Sequence, residues 1–200
     1  MDTPPSPFRY FKDPHHFSSY SEAGEACPFC GLTRAGYSGG FYGESDQDDL
    51  EFICEVCLLA GKLSEKDLLL NEAVDLRPDI EDHYPQLSET EVATLTKRRT
   101  AELEQRTPSI MAWQPLLWPV HCGDFCCFLK EAGQLDMHRL APDGNGRAFF
   151  EAHLGEPGRD DVWETVRPDA PLNNSVGYSV GVYLFQCLEC GEYLITWDCD

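Results

Sequence analysis

Cysteines are the residues of this 200-residue chain whose types and spacing point most directly to chemistry, and there are ten of them. Two Cys-x-x-Cys pairs, Cys27/Cys30 and Cys54/Cys57, are separated by 23 residues, about the length of a ribbon with a hairpin between its knuckles. Zinc binds four thiolates in a tetrahedron at ~2.3 Å, and each pair presents two thiols from one tight turn. Gly31 lets the chain turn with its amides facing the sulfurs. We therefore predict a first zinc site from these four cysteines.

A third pair, Cys187/Cys190, is also followed by a glycine but has no second pair nearby in the sequence. Cys122 and Cys126 lie four residues apart, so they would share one face at the start of a helix. The predicted second zinc site therefore consists of Cys122, Cys126, Cys187 and Cys190. It would tie the C-terminal hairpin to the middle of the chain.

Other residues compete for that second site. His121 precedes Cys122 directly and is an alternative ligand, and so is Cys127. On a helix Cys127 would point about 100° away from Cys126, which favours a small buried core residue at this position. Cys199 lies beside the C-terminal end and has no assignment.

Redox chemistry is the rival interpretation of any Cys-x-x-Cys pair. Three pairs, two of them matched across a ribbon spacing, favour metal, although a redox sensor that releases zinc on oxidation stays open as an alternative. No run approaches the ~18 apolar residues of a spanning helix, and residues 1–20 contain no apolar stretch of signal-peptide length. We therefore expect a cytoplasmic protein with no membrane association, whose cysteines bind metal rather than form disulfides.

The formal charge of −20, from 35 acidic and 15 basic residues, restricts the partners. Nucleic-acid affinity comes mostly from Lys and Arg that neutralise phosphates, so a DNA- or RNA-binding ribbon is the least favoured of the alternatives, and we expect no nucleic-acid partner. Opposite charge speeds protein association, which favours a basic protein partner, although the charge also serves solubility. Five carboxylates form an acidic loop between the knuckles of the first site: Glu44, Asp46, Asp48, Asp49 and Glu51.

Catalytic motifs are absent from the sequence: it has no phosphate-binding glycine loop, no Gly-x-Ser-x-Gly elbow and no His-Glu-x-x-His. A four-cysteine site also leaves no open position for water and is structural by default. An enzyme with a site near His121 or near Asp198/Asp200 is the remaining catalytic alternative, although two terminal carboxylates are more often plain surface.

The sequence patterns around these residues predict an α+β protein that is stabilised by zinc. It would contain zinc-ribbon-like knuckles, short β-hairpins and several helices. We expect an N-terminal arm (1–20), a zinc-ribbon-like segment (21–62) and a helical and β-hairpin body with the second site (63–200), packed as one compact unit. Helices are predicted over 58–74, from a Ser88-Glu91 capping box to Arg106, after Thr107-Pro108, and over 125–132. Gly39-Gly40 predicts a tight hairpin turn. Residues 75–87 read as a connector, and 141–177 as a partly irregular excursion.

Packing predictions follow from the aromatic and basic residues. Phe8, Tyr10, Phe11 and Phe17 are expected to dock the arm on the body. The predicted core residues of the middle segment are Trp113, Trp118 and Phe128. The basic cluster of Lys97, Arg98 and Arg99 is expected to be a solvated helix face.

Several motifs together resemble the CbrC family, a largely uncharacterised bacterial family. They include Phe8-Arg-Tyr-Phe-Lys-Asp13-Pro14, Cys27-x-x-Cys30-Gly31-x-x-Arg34 with Tyr37, Phe41-Tyr42, and Cys54-x-x-Cys57 with Gly61. They continue with Arg106-Thr107-Pro108, Trp113-Gln114, Trp118, His121-Cys122-x-Asp124-x-Cys126, Leu184-Phe185-x-Cys187-x-x-Cys190-Gly191, and Asp198-x-Asp200. The chain departs from the family pattern at Glu55, where proline is frequent, and at Ser109, where glycine is frequent.

The resemblance implies a role more than a reaction, because the family's name refers to tolerance of colicins and no reaction is firmly assigned to it. We therefore expect a zinc-binding protein with two zinc ions that acts through protein–protein contacts, in toxin tolerance or stress response.

Overall fold

The computed structural model describes residues 6–43, 50–155, 162–169 and 180–199, and it confirms the α+β class. The helices are α1 Pro14–Phe17, α2 Glu55–Leu59, α3 Arg77–His83, α4 Glu89–Arg106, α5 Gln134–Leu140, α6 Gly146–His153 and α7 Val162–Thr165, with a 3-10 turn at Lys62–Lys66. The strands are β1 Tyr20–Ala26, β2 Thr33–Ser38, β3 Tyr42–Gly43, β4 Phe52–Cys54, β5 Leu68–Leu69, β6 Val120–His121, β7 Asp124–Phe125, β8 Cys127–Glu131, β9 Val180–Gln186 and β10 Tyr193–Cys199. None of the helices in these described ranges is long and apolar enough to cross a membrane.

Two antiparallel sheets of three strands organise the described part of the chain. One has the order β1-β2-β4 and the other β10-β9-β8, and two-stranded pairs form between β3 and β5 and between β6 and β7. The hairpins β1-β2 and β9-β10 each enclose one cysteine knuckle. The C-terminal β-hairpin around Cys187 and Cys190 is thus as the sequence predicts.

The two knuckles have the same backbone hydrogen bonds. The amide of the first cysteine, Cys27 or Cys187, donates to the carbonyl five residues later at 3.0 and 2.8 Å. The amide of the following glycine, Gly31 or Gly191, donates back to the carbonyl of that cysteine at 2.7 and 3.2 Å. Both glycines adopt a left-handed conformation, with φ of 70° and 78°, which a side chain would strain. The Cys-x-x-Cys-Gly pattern therefore encodes one local structure, used twice.

The N-terminal arm docks on the body, as predicted. Phe8, Tyr10 and Phe11 are buried, and the rings of Phe11 and Phe128 meet edge to face with centroids 4.9 Å apart. The amide of Phe128 donates to the carbonyl of Tyr10 at 2.8 Å, and the amide of Lys12 donates to the carbonyl of Phe128 at 2.9 Å. The arm therefore continues the sheet beyond β8.

Two apolar clusters lie beneath these elements. The first combines residues from the arm, from the segment of the first knuckles and from the later chain, for example Tyr10, Ile53 and Phe185. The second packs α5, α6 and α7 against the C-terminal hairpin, with Phe150 and Ile195 among its members. The first cluster thus contains side chains from each of the three predicted segments.

Helix α4 follows its sequence signal closely. The Ser88 side chain accepts from the amide of Glu91, and the Glu91 carboxylate accepts from the amide of Ser88 at 2.8 Å. The helix ends at Arg106. This capping box is confirmed because its partners lie three residues apart and depend on no distant contact.

The other helix predictions need correction. The expected helix over 58–74 breaks up into the end of α2, the 3-10 turn and β5, because Gly61 and Asp67 adopt left-handed conformations. The expected connector 75–87 contains α3. No helix follows Thr107-Pro108, and residues 125–132 form β7 and β8 instead of a helix, since β8 pairs with the buried strand β9.

The predicted hairpin turn at Gly39-Gly40 is also wrong. β2 ends at Ser38, and the chain proceeds to β3, which pairs with β5 rather than returning along β2. The strand beside β2 is β4. In the excursion 141–177, helices α6 and α7 lie among the described residues, whereas 156–161 and 170–177 lie outside them, as do residues 44–49 of the acidic loop and Asp200.

Candidate metal centres

The first four-cysteine group assembles as predicted. The sulfurs of Cys27, Cys30, Cys54 and Cys57 all lie within 4.8 Å of one another. Sγ of Cys30 is 3.8 Å from Sγ of Cys54, and the edge of a tetrahedron with ~2.3 Å bonds is about 3.8 Å. Cys54 ends β4 and precedes α2, so the first turn of that helix brings Cys57 to the same side. The geometry fits zinc.

The electrostatics of this group favour a cation. Burial opposes ionisation of Cys27, but hydrogen bonds from the backbone amides of Cys54, Phe29 and Cys30 outweigh it and lower the pKa of the thiol to about 7. Burial, together with the neighbouring thiols, raises the pKa of Cys57. Because the pKa of Cys57 is raised, its thiol ionises fully only when a positive ion neutralises the neighbouring thiolates, which is what zinc supplies.

The second group contains a histidine. Its members are His121, Cys122, Cys187 and Cys190, again with all donor atoms within 4.8 Å of one another. Nδ1 of His121 lies 3.2 Å from Sγ of Cys122 and 3.4 Å from Sγ of Cys190. A tetrahedron with Zn–N of ~2.0 Å and Zn–S of ~2.3 Å has N–S edges of about 3.5 Å. The three-cysteine, one-histidine set therefore also fits zinc.

Cys126 does not join this group, so its prediction as a ligand is wrong. The prediction assumed a helix in which Cys122 and Cys126 share a face, whereas the segment is a β-hairpin. Cys126 is fully buried in the first apolar cluster, and its carbonyl accepts from the Trp118 indole at 2.7 Å. Burial, with the nearby thiol and carboxyl groups, raises the pKa of its thiol.

A tight hairpin presents Cys122 together with His121, the donor that stands in place of Cys126. β6 and β7 are joined by Cys122 and Gly123, with φ of 51° and 69°, and His121 pairs with Asp124. Two consecutive positive φ values match the two-residue type I′ turn, which favours small or glycine residues. The local sequence His-Cys-Gly-Asp carries this signal, with glycine at the second turn position.

Asp124 connects this hairpin to two distant parts of the chain. Its carboxylate accepts from the guanidinium of Arg9 at 2.7 Å and from the hydroxyl of Tyr10 at 2.7 Å, and it lies 3.1 Å from Nε of Arg99. Arg99 also donates to the carbonyl of Gly123 at 2.7 Å. The arm and α4 therefore hold the turn that presents His121 and Cys122. The expected solvated face is wrong at Arg99, whose side chain is only 11% exposed.

The other half of the second group is tied to α3. The carboxylate of Glu189, inside the knuckle, accepts from the hydroxyl of Tyr84 at 2.7 Å and lies 3.0 Å from Nε2 of His83. These contacts lower the pKa of Glu189. The donor cysteines of this group have shifted pKa values. A hydrogen bond from the amide of Glu192 lowers the pKa of the Cys190 thiol. Burial and the neighbouring thiols raise the pKa of Cys122 to about 12.

The remaining candidates have other surroundings. Cys127 is half-buried in β8, and burial raises the pKa of its thiol to about 11. Asp198 is buried rather than plain surface: it accepts from the amide of Trp113 at 2.8 Å and from the hydroxyl of Tyr183 at 2.9 Å. Trp118 and Phe128 are core residues as predicted, but Trp113 is 44% exposed.

The chemistry of the two groups is that of closed metal sites. Each offers four protein donors of the kinds that zinc prefers, so each could hold one zinc ion without an open position for water or substrate. Sites of this type stabilise a fold and join distant segments.

Comparison with known proteins shows a family and no structural precedent. No solved structure matches this chain. A family model matches residues 6–199, which include both cysteine groups. The chain belongs to the uncharacterised protein family UPF0167.

Proposed function

We propose that this protein binds two zinc ions as structural elements and acts by binding a basic protein partner. The observation that carries the zinc assignment is the assembly of two complete four-donor groups, each from one hairpin knuckle and one second segment. The donor distances of 3.8, 3.2 and 3.4 Å fit tetrahedral zinc.

A binding role is supported by the net charge of the chain and by the contacts that the candidate catalytic residues make in the structure. The charge of −20 favours a basic partner through electrostatic steering. Of the residues on which an enzymatic alternative depends, His121 belongs to a closed donor group and Asp198 accepts backbone and tyrosine hydrogen bonds. The resemblance to the CbrC family makes a basic toxin or nuclease domain the first partner to test, and cytoplasmic action is part of this proposal.

Metal content tests the first half of the proposal. Protein purified without added metal should carry about two zinc ions per chain by elemental analysis, with every thiol reactive after denaturation in chelator. Protein without zinc and with intact disulfides would contradict the assignment.

Partner capture tests the second half. Proteins retained from a native lysate at low salt should be basic and should be released as salt rises, because screening acts over ~8 Å at physiological ionic strength. The triple change of Asp46, Asp48 and Asp49 to Asn should slow association with a captured partner at low salt while zinc content stays unchanged. Association at the wild-type rate would show that the acidic loop only keeps the protein soluble.

A redox sensor is the second candidate, and one observation favours it: each group has one exposed cysteine, Cys30 or Cys190. Oxidation of two thiolates by hydrogen peroxide would form one disulfide, reduce the peroxide to two waters with two protons, and release the zinc. Peroxide titration with a zinc-responsive dye tests this. Zinc release at about one peroxide per site, reversed by thiol and zinc, would support the sensor, and retention of zinc would exclude it.

A further inference from the structure

A surface cleft lies away from both cysteine groups. Its lining residues come from β3, from the segment after β5 and from the non-helical stretch that follows α4, and they include Tyr42, Glu72, Trp113 and Leu117. Neither of the four-donor groups contributes a residue to it.

Large apolar side chains are exposed in this cleft. Tyr42 is 52% exposed, Trp113 44% and Leu117 60%. Scattered exposed apolar residues are ordinary, but several that line one concave surface mark interaction sites. Trp and Tyr are also the residues that most often dominate the binding energy of protein interfaces.

The backbone under these side chains is anchored. The carboxylate of Asp198 accepts from the amides of Trp113 and Gln114 at 2.8 and 3.3 Å, and the Gln114 side chain donates to the carbonyl of Cys199 at 2.8 Å. At the near end, the Ser109 hydroxyl donates to the carbonyl of Leu70 at 2.6 Å. A segment tied at several points to distant residues loses little entropy on binding, which makes it a good binding surface.

The charge of the lining indicates the occupant. Its carboxylate is that of Glu72, which is exposed, and the described residues that line it include no Lys, Arg or His. The faces of Trp and Tyr rings attract ammonium and guanidinium groups, which lie within about 6 Å of the ring centroid in such contacts. An acidic protein that presents exposed aromatic rings beside a carboxylate is complementary to a segment that carries Lys or Arg next to an apolar side chain.

We propose that this cleft docks an extended, basic segment of a partner protein, with a cationic side chain on Trp113 or Tyr42 and an apolar one against Leu117. The inference rests on the proposed function and specifies the surface through which it acts. An isolated exposed tryptophan would be ordinary surface. Here the backbone beneath Trp113 is anchored by hydrogen bonds, and the described lining residues include no cationic side chain, which together favour a binding surface.

Selection from a random peptide library displayed on phage tests the inference with the zinc-loaded full-length protein. Enriched peptides should carry net positive charge and an aliphatic or aromatic residue. Their affinity, measured by fluorescence anisotropy, should fall roughly 10-fold or more with Trp113→Ala or Leu117→Ser. Glu72→Gln should weaken them less and flatten their salt dependence.

Leu135→Ser is the matched control, because Leu135 is a leucine of α5 that is 41% exposed and does not line the cleft. It should bind the peptides like the wild type, and all variants should retain about two zinc ions. If enriched peptides are basic but bind Trp113→Ala and Leu117→Ser at wild-type affinity, the cleft is the wrong surface and the proposed function stands. If selection enriches no peptide, or only neutral and acidic ones, the cleft inference fails together with the basic partner.

Discussion

The hairpin with Cys27 and Cys30 and the hairpin with Cys187 and Cys190 share their knuckle hydrogen bonds but obtain their remaining donors differently. The first uses a second Cys-x-x-Cys pair that starts a helix beside the same sheet. The second uses a His-Cys pair at the turn of a separate hairpin. The same local motif thus serves one centre built within a sequence-local unit and one built across the fold.

The two centres also differ in how many of their donor residues are buried. In the first group Cys27, Cys54 and Cys57 are buried and belong to the first apolar cluster, and Cys30 is exposed. In the second group Cys187 alone is buried, and it belongs to the same cluster. Loss of the first centre, with three buried donors, should therefore disrupt the core more than loss of the second, which should mainly release contacts between segments.

The largest effect is expected from Cys54→Ser. This change removes a donor at the junction of β4 and α2, and structural zinc binds with an apparent ~10–16 kcal/mol in small domains, comparable to or above a typical folding stability. We expect a zinc content of one or less and loss of the cooperative melting transition in circular dichroism. Cys127→Ser, a cysteine outside both groups, is the control and should keep both ions. A wild-type melting curve for Cys54→Ser would remove the distinction between the centres.

A smaller and more local effect is expected from His121→Ala. The variant should lose one zinc ion, keep the first centre and still melt cooperatively at a lower temperature, because the first centre, which has three buried donors in the first apolar cluster, keeps its metal. Cys126→Ala should keep two ions and lose only about 1 kcal/mol of stability. Elemental analysis separates the two variants. Loss of zinc from Cys126→Ala and not from His121→Ala would return Cys126 to the ligand set.

Asp124→Asn tests whether the second centre depends on the contacts that hold its hairpin. The change leaves the nearly buried Arg99 without its carboxylate, and loss of such supporting groups typically costs 10–100-fold in metal affinity. Competition with a chromophoric chelator should show that fall at the second centre alone. Arg9→Ala should be milder, since Arg9 is half exposed. Equal weakening of both centres would indicate a loss of general stability instead.

The smallest effect is expected from Ser88→Ala, which removes the cap of α4. Removing an N-cap costs about 1 kcal/mol of helix stability. Helix α4 contacts α2 near the first centre and β7 at the second, so this destabilisation should affect both centres alike. We expect a lower melting temperature, two zinc ions and an unchanged ratio of the two zinc affinities. A change in that ratio would mean that α4 supports one centre selectively.

Local sequence determined the features whose partners lie a few residues apart. The Cys-x-x-Cys-Gly knuckles and the Ser88 capping box were predictable, because short-range geometry decides them. The first four-cysteine group was predictable from its two Cys-x-x-Cys pairs, whose separation of 23 residues is about that of a zinc ribbon. The docking of the arm was predictable as well, since removing several apolar rings of one segment, such as Phe8 and Phe11, from water is favourable.

Tertiary structure decided between the candidates for the fourth donor of the second centre, Cys126 and His121. Whether residues 125–131 become helix or strand depends on β9, which lies far along the chain and needs a partner for its exposed backbone groups. Once they are strands, Cys126 faces the core and His121 reaches the metal group. Burial of Arg99 likewise depends on Asp124, and Asp124 is held by Arg9, 115 residues away. Such contacts leave no local pattern, because their energy arises only when the chain has folded.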